Sequence, residues 1–454
     1  MWNLQPSAHA ASAPNKRLFI PFAATGKGVV EFQPLPNGGA NGSTITSVSQ
    51  GNQGGVQLLG NGTQIHYIAG PLFSEVDSFT YIVTDSNHVD TVLLVDVVDY
   101  NLFRGNHAIE VAPNPGVELI PSGGADGVLT VDGKGNFTGR QSLLGSISGH
   151  FDKLGNFVKV YSPPYYPSLH MDLSLNDTSP VIEGSFLSGH TFTPYAYTVS
   201  TYLIAPAGEN AGRYTALFQP TGNAEPGGTG WAAVKINANG QLTFVGRLGD
   251  GLAFSFPSAL RGDGTFPVYV NGYPAAQVGN YEHRLQGNAT LRDNPDISDF
   301  DGAITWSSMA YGAPRVPATT YPQGFSITVN LIGSRLSSSG GLITTLDFGV
   351  DLVMGDIDVE FVDGGLTQPI HTRVELVFSN SNRVISVDAP IKDMTIQGKD
   401  SFLAGNVRGL FSGHFLHPGV NAIRSFSGVV FQKQDRAAGF FRGDTTTGTV
   451  ILNP

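Results

Sequence analysis

Along most of the chain, apolar side chains recur at every second position over short runs and then stop at Gly, Asn, Asp or Pro. In the run "SFTYIVT", Phe79, Tyr81 and Val83 alternate with Ser78, Thr80, Ile82 and Thr84. That is the period of a half-buried strand. The next residues, "DSNH", read as a turn, and "VDTVLLVDVVDY" reads as a second strand, so the pair predicts an antiparallel hairpin. Beyond residue 105 the same signature repeats, in "GVLTVDGKGNFTGR", "GSISGHFDKLGNFVKVY", "AAVKINANGQLTFVGRL", "FSITVNLIGSRL" and "TRVELVFSNSNRVISVDA". The "NG" and "DG" pairs between such runs supply the positive φ that tight hairpins need. No segment shows clear amphipathic helical spacing. The pattern predicts an all-β chain built as a sandwich or barrel.

Punctuation along the chain divides it. Residues 1–17 read as a flexible N-terminal tail, and residues 18–100 as a first β unit with a Gly/Asn/Ser-rich middle. A short connector near 101–106 leads into a large antiparallel β-barrel region, 105–454, of one or two barrels. The Pro-rich stretch "YGAPRVPATTYPQG" (311–324) either separates two sub-barrels or is a long loop.

Glycine has a regular place in the strands. Phe411, Gly413 and Phe415 share one face, as do Ile147, Gly149 and Phe151, and Phe426, Gly428 and Val430. A Gly between large neighbours makes room for an aromatic ring or permits a sharp bend. The similar hairpins near 137–151 and 411–430 suggest related strand pairs arising by internal duplication.

Composition sharpens this picture. Charged residues are 13% of the chain, with Gly 58 and Pro 28; soluble domains usually carry about 25% charge. Such a balance favours turns and short strands over helices, whose solvent faces need Glu, Lys and Arg. The net charge of -11, with no basic cluster, argues against nucleic acid. With Cys 0, disulfides, thiolate chemistry and Cys-ligated zinc are excluded. No stretch approaches a membrane-spanning helix. The first residues hold an A-x-A-like element at Ala8–Ala10 without a preceding apolar run, so a leader is missing here or the chain is a piece of something longer.

Two resemblances follow from particular phrases. "FSEVDSFTYIVTD" and the Val-rich strand after it resemble the end of bacterial immunoglobulin-like and cadherin-like modules, with Glu75 where those modules usually have Gly. Residues 125–454 resemble a β-rich C-terminal region of large exported surface proteins of environmental bacteria. The phrases are "GRYTALF", "DGTFPVY", "DFDGAITW", and a terminal "GLFSGHF" with "FSGVVFQKQ" and "GFFRG". Trp231, Gly249 and Phe266 stand where that region usually has Tyr, Ala and Trp. The resemblance implies an immunoglobulin-like sandwich followed by the barrel region, in an extracellular or cell-surface setting. It implies no activity.

Candidate chemistry is sparse. The loop "RDNPDISDFDG" offers Asp293, Asn294, Asp296, Asp299 and Asp301 as oxygen ligands, but not at EF-hand spacing, so a solvated turn competes with a calcium site. Asp356, Asp358 and Glu360 share one strand face opposite Ile357, Val359 and Phe361, which reads as a wet face backed by a core face. The eleven histidines form no zinc motif. Tyr161, Tyr165 and Tyr166 in the Pro-stiffened "YSPPYYP" could stack on sugar rings or cap a barrel end. The expectation is a non-enzymatic exported β module for display, adhesion or assembly, with carbohydrate binding at those tyrosines as the alternative. A hydrolase using paired carboxylates is a third reading, although no pair stands out. Other surface proteins or glycans would be its partners, self-assembly is open, and no cofactor is expected.

Overall fold

The computed structural model describes residues 16–21, 28–35, 42–113, 125–141, 145–161, 169–175, 181–188, 195–222, 225–271, 283–308, 321, 324–336, 354–378, 384–388, 391, 393–399 and 409–454. Among them the regular elements are strands, apart from 3-10 turns at Tyr100–Phe103, Gly208–Asn210 and Gln432–Gln434. The chain forms two compact units. One holds Met1–Ile109 with Gly127–Leu203, the other Glu110–Asp126 with Ile204–Pro454.

The first seven strands are β1 (Lys16–Ile20), β2 (Val29–Phe32), β3 (Thr44–Val48), β4 (Gly54–Leu59), β5 (Gln64–Ala69), β6 (Val76–Thr84) and β7 (Asp90–Asp99). They make two sheets, β1-β7-β6-β3 and β2-β5-β4. The hairpin expected from alternation is β6 against β7, antiparallel from Val76↔Val98 to Thr84↔Asp90. β1 runs parallel to β7 and begins at Lys16, two residues before the boundary read from sequence. Inward residues of both sheets, among them Ile20, Phe32, Ile65, Tyr67, Phe79 and Val95, share one core. Each such side chain contributes about 1.5–3 kcal/mol on burial. Asp77 is buried in this layer, where its carboxylate accepts from the N–H groups of Asn52 (2.9 Å), Gln53 (3.0 Å) and Ser78 (2.9 Å) and from the Tyr67 hydroxyl (2.7 Å). Burial, and then the Asp77 carboxylate, push the Tyr67 hydroxyl pKa up.

Three eight-stranded sheets follow, where one or two barrels were expected. The first comprises β8 (Gly105–Pro113), β9 (Ala125–Val131), β10 (Asn136–Gln141), β11 (Gly145–His150), β12 (Asn156–Tyr161), β13 (Leu169–Leu175), β14 (Ile182–Ser188) and β15 (Tyr195–Leu203). The second comprises β16 (Gly212–Pro220), β17 (Gly230–Ile236), β18 (Gln241–Arg247), β19 (Ala253–Ala259), β20 (Thr265–Asn271), β21 (His283–Asn294), β22 (Ser298–Ser308) and β23 (Phe325–Arg335). The third comprises β24 (Met354–Asp363), β25 (Ile370–Phe378), β26 (Val384–Asp388), β27 (Thr395–Lys399), β28 (Leu410–His417), β29 (Ala422–Phe431), β30 (Arg436–Arg442) and β31 (Thr447–Asn453). Each is a meander whose first and last strands pair, β8 with β15, β16 with β23 and β24 with β31. The third ring is closed, whereas the first two break between their fourth and fifth strands. Hairpin signals look alike along the chain, so only the pairing of first with last strand fixes how many rings form. The Pro-rich stretch 311–324 falls between β22 and β23, which are neighbours in one sheet; of it, only residues 321 and 324 are described.

One turn design recurs. Asp132 N–H donates to Asn136 O (2.9 Å), Asp152 to Asn156 (2.9 Å), Asn237 to Gln241 (2.9 Å) and Arg261 to Thr265 (2.8 Å). The residue before each strand is a left-handed Gly, at φ 82° for Gly135, 77° for Gly155, 80° for Gly240 and 82° for Gly264. This is the three-residue hairpin loop that ends in a glycine bulge. The Gly carbonyl then accepts from a strand beyond it: Phe151 N–H reaches Gly135 O (3.0 Å), Leu175 reaches Gly155 (3.0 Å), Leu260 reaches Gly240 (2.9 Å) and Leu291 reaches Gly264 (2.8 Å). In the third barrel Val430 N–H reaches Gly409 O (2.7 Å), immediately before β28. One glycine thus ends a turn and adds a rung to the following ladder.

The glycines flagged in sequence lie opposite rings. Phe137 pairs with Gly149, Phe300 with Gly333, Phe411 with Gly428 and Phe426 with Gly413. A methyl at Gly149 would lie 2.3 Å from the Phe157 ring and 2.6 Å from Phe137, so the missing side chain is the space those rings fill. The hairpins at 137–151 and 411–430 nevertheless occupy different steps of their meanders. They share this Phe-opposite-Gly pairing rather than an equivalent position.

In the second unit, β16 and β17 bury both faces, which is why "TALF" and "WAAV" read as continuous apolar runs. Their outward residues Leu217 and Trp231 pack with Leu410, Val429, Phe431 and Phe440 of the third barrel. The Trp231 indole N–H donates to Ser427 Oγ at 3.1 Å.

Replacing Gly149 by Ala should destabilise the first barrel by about 1–3 kcal/mol, the usual cost of overpacking. Hydrogen exchange over β10 to β12 is expected to accelerate, with most of the protection restored in Gly149→Ala/Phe157→Leu.

Candidate functional site

Of the tyrosines singled out in sequence, Tyr161 closes β12, and its side chain lies outside the described residues, as do Tyr165 and Tyr166 altogether.

The acidic turn between β21 and β22 is built differently from a cation cage. Lys433 Nζ donates to Asp293 and, at 2.8 Å, to Asp299. Asp299 also accepts the Arg335 backbone N–H at 2.6 Å. Asp301 is paired with Arg292, whose Nε lies 3.0 Å from Oδ2, and accepts the Asn294 amide as well. Asp296 takes a left-handed conformation at φ 58°, as Asp tolerates in tight turns. Gln434 adds a bond to Ile297 O at 3.0 Å, so residues 433 and 434 of the third barrel clasp this turn of the second. The hydrogen bonds that it donates to Asp293 and Asp299 hold the Lys433 ammonium above its ordinary pKa.

The second acidic feature behaves as read. Ile357, Val359 and Phe361 are buried, while Asp356 and Asp358 face solvent. Basic residues on β25 lie across from them: Arg373 Nε lies 3.2 Å from Asp356, and the His371 imidazole lies 3.6 Å from Glu360.

The described histidines serve separate places. His107 is buried with Nε2 at 2.7 Å from Phe103 O and Nδ1 at 3.4 Å from Thr201 Oγ1. Burial lowers its pKa, so it is a neutral core imidazole donating to a carbonyl. His417 is buried too, with Nε2 3.1 Å from Gly364 O. Among the described residues no group of three His, Asp or Glu side chains is placed to hold a metal.

One concave site was not foreseen from the sequence. A cleft of about 240 Å³ in the first unit is lined by Phe19, Glu31, Tyr100, Lys134, His150 and Lys153, among others. The repeated turns build it. Phe19 N–H donates to Lys153 O at 2.8 Å, and the Tyr100 hydroxyl reaches Phe151 O and Asp152 O at 3.0 and 2.6 Å. The two rings stack with centroids 5.7 Å apart. They come so close to the turns because Gly155 faces Phe19 and Gly135 faces Tyr100, where a Cβ would lie 2.4 and 2.7 Å away. Lys153 Nζ donates to Glu31 O at 2.9 Å. Nearby, burial and then the Lys153 charge push the Lys16 pKa down. The cleft falls below the usual 300–1,000 Å³ of small-molecule sites. No sequence signal marks it, since its residues come from three separate stretches of chain.

Replacing Lys433 by Met should cost about 1 kcal/mol, the upper range for a partly exposed pair. A raised folded pKa means that the contribution is fully present below the ordinary lysine value of 10.5 and is lost as pH climbs through the higher folded value. The stability gap between wild type and Lys433→Met is therefore expected to stay constant from about pH 7 to 9 and to shrink only at stronger alkalinity, in urea titrations read at each pH.

No family model matches this chain, and no curated protein matches it. Among solved structures the chain is similar to a double mutant of the vaccine antigen Transferrin Binding Protein B from Haemophilus parasuis Hp5. The identity is 10%, the TM-score 0.20, and 84% of this chain and 83% of that chain are covered. It is also similar to intact Ap-TbpB, with N and C lobes, at 12% identity and TM-score 0.18, over 92% of this chain and 87% of that one. Agreement this low transfers neither ligand nor activity to the present chain.

Proposed function

We propose that the chain is a non-enzymatic, exported cell-surface β module for display, adhesion or assembly, with an immunoglobulin-like sandwich at 18–100 and a barrel region at 105–454. The observation that carries this reading is the repetition of one scaffold. Three successive eight-stranded meanders use the same glycine rung. Polar clusters that could have served chemistry instead tie elements together, as Asp77 and Lys433 do. A rigid framework of this kind presents loops at strand ends, where binding residues usually sit. Other surface proteins or glycans are the partners that suit it, without a cofactor.

Carbohydrate binding is the second reading, supported by the sequence, which puts Tyr161, Tyr165 and Tyr166 in one Pro-rich run that begins at the last residue of β12. Stacking of a sugar face on such rings would give a modest, sequence-local site.

Two measurements test the pair of readings. Mild protease treatment of intact cells that make the full protein should release fragments of this chain; protection equal to that of a cytosolic marker would overturn the surface reading. A glycan array probed with the full chain should then separate the alternatives. Saturable binding lost in Tyr165→Ala/Tyr166→Ala favours carbohydrate, whereas binding only to protein-coated surfaces favours adhesion.

A further inference from the structure

The turn that joins β7 to β8 is pinned by an imidazole. His107, on β8, is fully buried, and its Nε2 lies 2.7 Å from Phe103 O in the 3-10 turn. A carbonyl only accepts, so Nε2 carries the proton and the neutral ring presents a bare lone pair at Nδ1. Thr201 Oγ1 of β15 meets that lone pair at 3.4 Å, while the same hydroxyl oxygen accepts the Ile182 N–H of β14 at 2.9 Å. Every proton in this relay therefore has one direction: backbone to Thr201, Thr201 to His107, His107 to the turn. β8 and β15 are the first and last strands of the first meander and lie side by side. The relay ties the incoming turn to the seam between them.

A second proton on the ring breaks the pattern. Nδ1–H would face a hydroxyl whose own proton already points at it, and turning that hydroxyl away gives up the bond it donates to the ring. The cation would also stand without a counter-ion, because the titratable groups on the surrounding elements are engaged elsewhere. Asp99 caps the turn through the Asn101 N–H (2.8 Å), the Tyr100 hydroxyl donates to Phe151 O and Asp152 O, and Asp132, after β9, accepts from Lys134 N–H and Asn136 N–H. Glu110 pairs with Arg261, Arg104 and Glu183 are exposed, and Tyr202, next to Thr201 along the strand, projects from the other face. Burial lowers the His107 pKa and the Phe103 carbonyl opposes that shift, with no contribution from an ionised side chain among the described residues.

We propose that His107 is an acid-sensitive latch: neutral, it holds the β7–β8 turn against the β8–β15 seam, and on protonation it releases both. A folded pKa below the ordinary 6.5 means that the latch is at full strength above that value, and that its contribution is lost as pH falls from 6.5 toward the lower folded value. Carboxylates with lowered pKa, Asp132 and Asp263 among them, lose their contributions only below the ordinary 3.8, outside that window. The latch is independent of the surface reading, which requires no titrating group.

Hydrogen exchange in the full chain, corrected for the intrinsic pH dependence of exchange, tests it. The reporters are the Ile182 N–H, bonded to Thr201, and the Arg104 N–H, which closes the 3-10 turn on Asn101 O at 3.1 Å. Between about pH 7.5 and 5.5 their protection should fall about tenfold, the change that one differentially bound proton gives over one pH unit, while amides of β16 and β17 change less than about twofold. His107→Gln keeps a donor for Phe103 O and an acceptor for Thr201 but cannot titrate, so the fall should vanish. An equal fall in His107→Gln overturns the proposal, as does constant protection of both amides in wild type. Exchange of the imidazole C2 hydrogen, read by mass spectrometry, follows His107 without any substitution. There a midpoint below 6.5 is expected, and one at or above it overturns the latch.

Discussion

The barrels depend on a backbone hydrogen bond that only a left-handed residue can place. At Gly135, Gly155, Gly240 and Gly264 the chain leaves a tight turn with φ between 77° and 82°, and the glycine carbonyl turns toward a strand further along. An L side chain at that φ is disfavoured. At Gly135 and Gly155 it would also collide with Tyr100 and Phe19. The same atom-level feature therefore sets strand register in the sheets and lets the sandwich approach the turns of the first barrel. A register error of one residue would send every core side chain to the wrong face, so the extra rung has consequences well beyond its own energy of about 1 kcal/mol.

Polar groups reinforce this frame at a few dense points. Asp77 gathers three backbone N–H groups and a tyrosine hydroxyl, which satisfy a carboxylate that would otherwise be buried without partners. Lys433 performs the complementary task in the second unit, drawing two carboxylates of the β21–β22 turn onto the connection after β29. In both cases a residue type usually associated with sites is tied into architecture. The acidic spacing that invites a calcium reading is neutralised by Lys433 and Arg292.

Variation between the barrels is concentrated at one joint. Full pairing in the third barrel and a break in the first two, flanked in the second by Pro257 and Pro267, are different solutions to the same step of the meander. Ring closure elsewhere keeps the first and last strands from becoming edges.

The sequence by itself determined the class of structure and many of its elements. Alternation at Phe79, Tyr81 and Val83 located β6, the amphipathic "DIDVEF" gave the wet and dry faces of β24, and Gly between large neighbours foretold the ring-filled gaps at Gly149, Gly413 and Gly428. These are short-range consequences of period and volume. The number of barrels, the pairing of β22 with β23, the Lys433 clasp and the cleft at Phe19 and Lys153 were decided only by the tertiary structure. Each brings together residues distant along the chain, Lys433 lying 140 positions from Asp293. Local pattern carries no information about which distant strand completes a ring, because every hairpin offers the same kind of edge and only closure chooses between them.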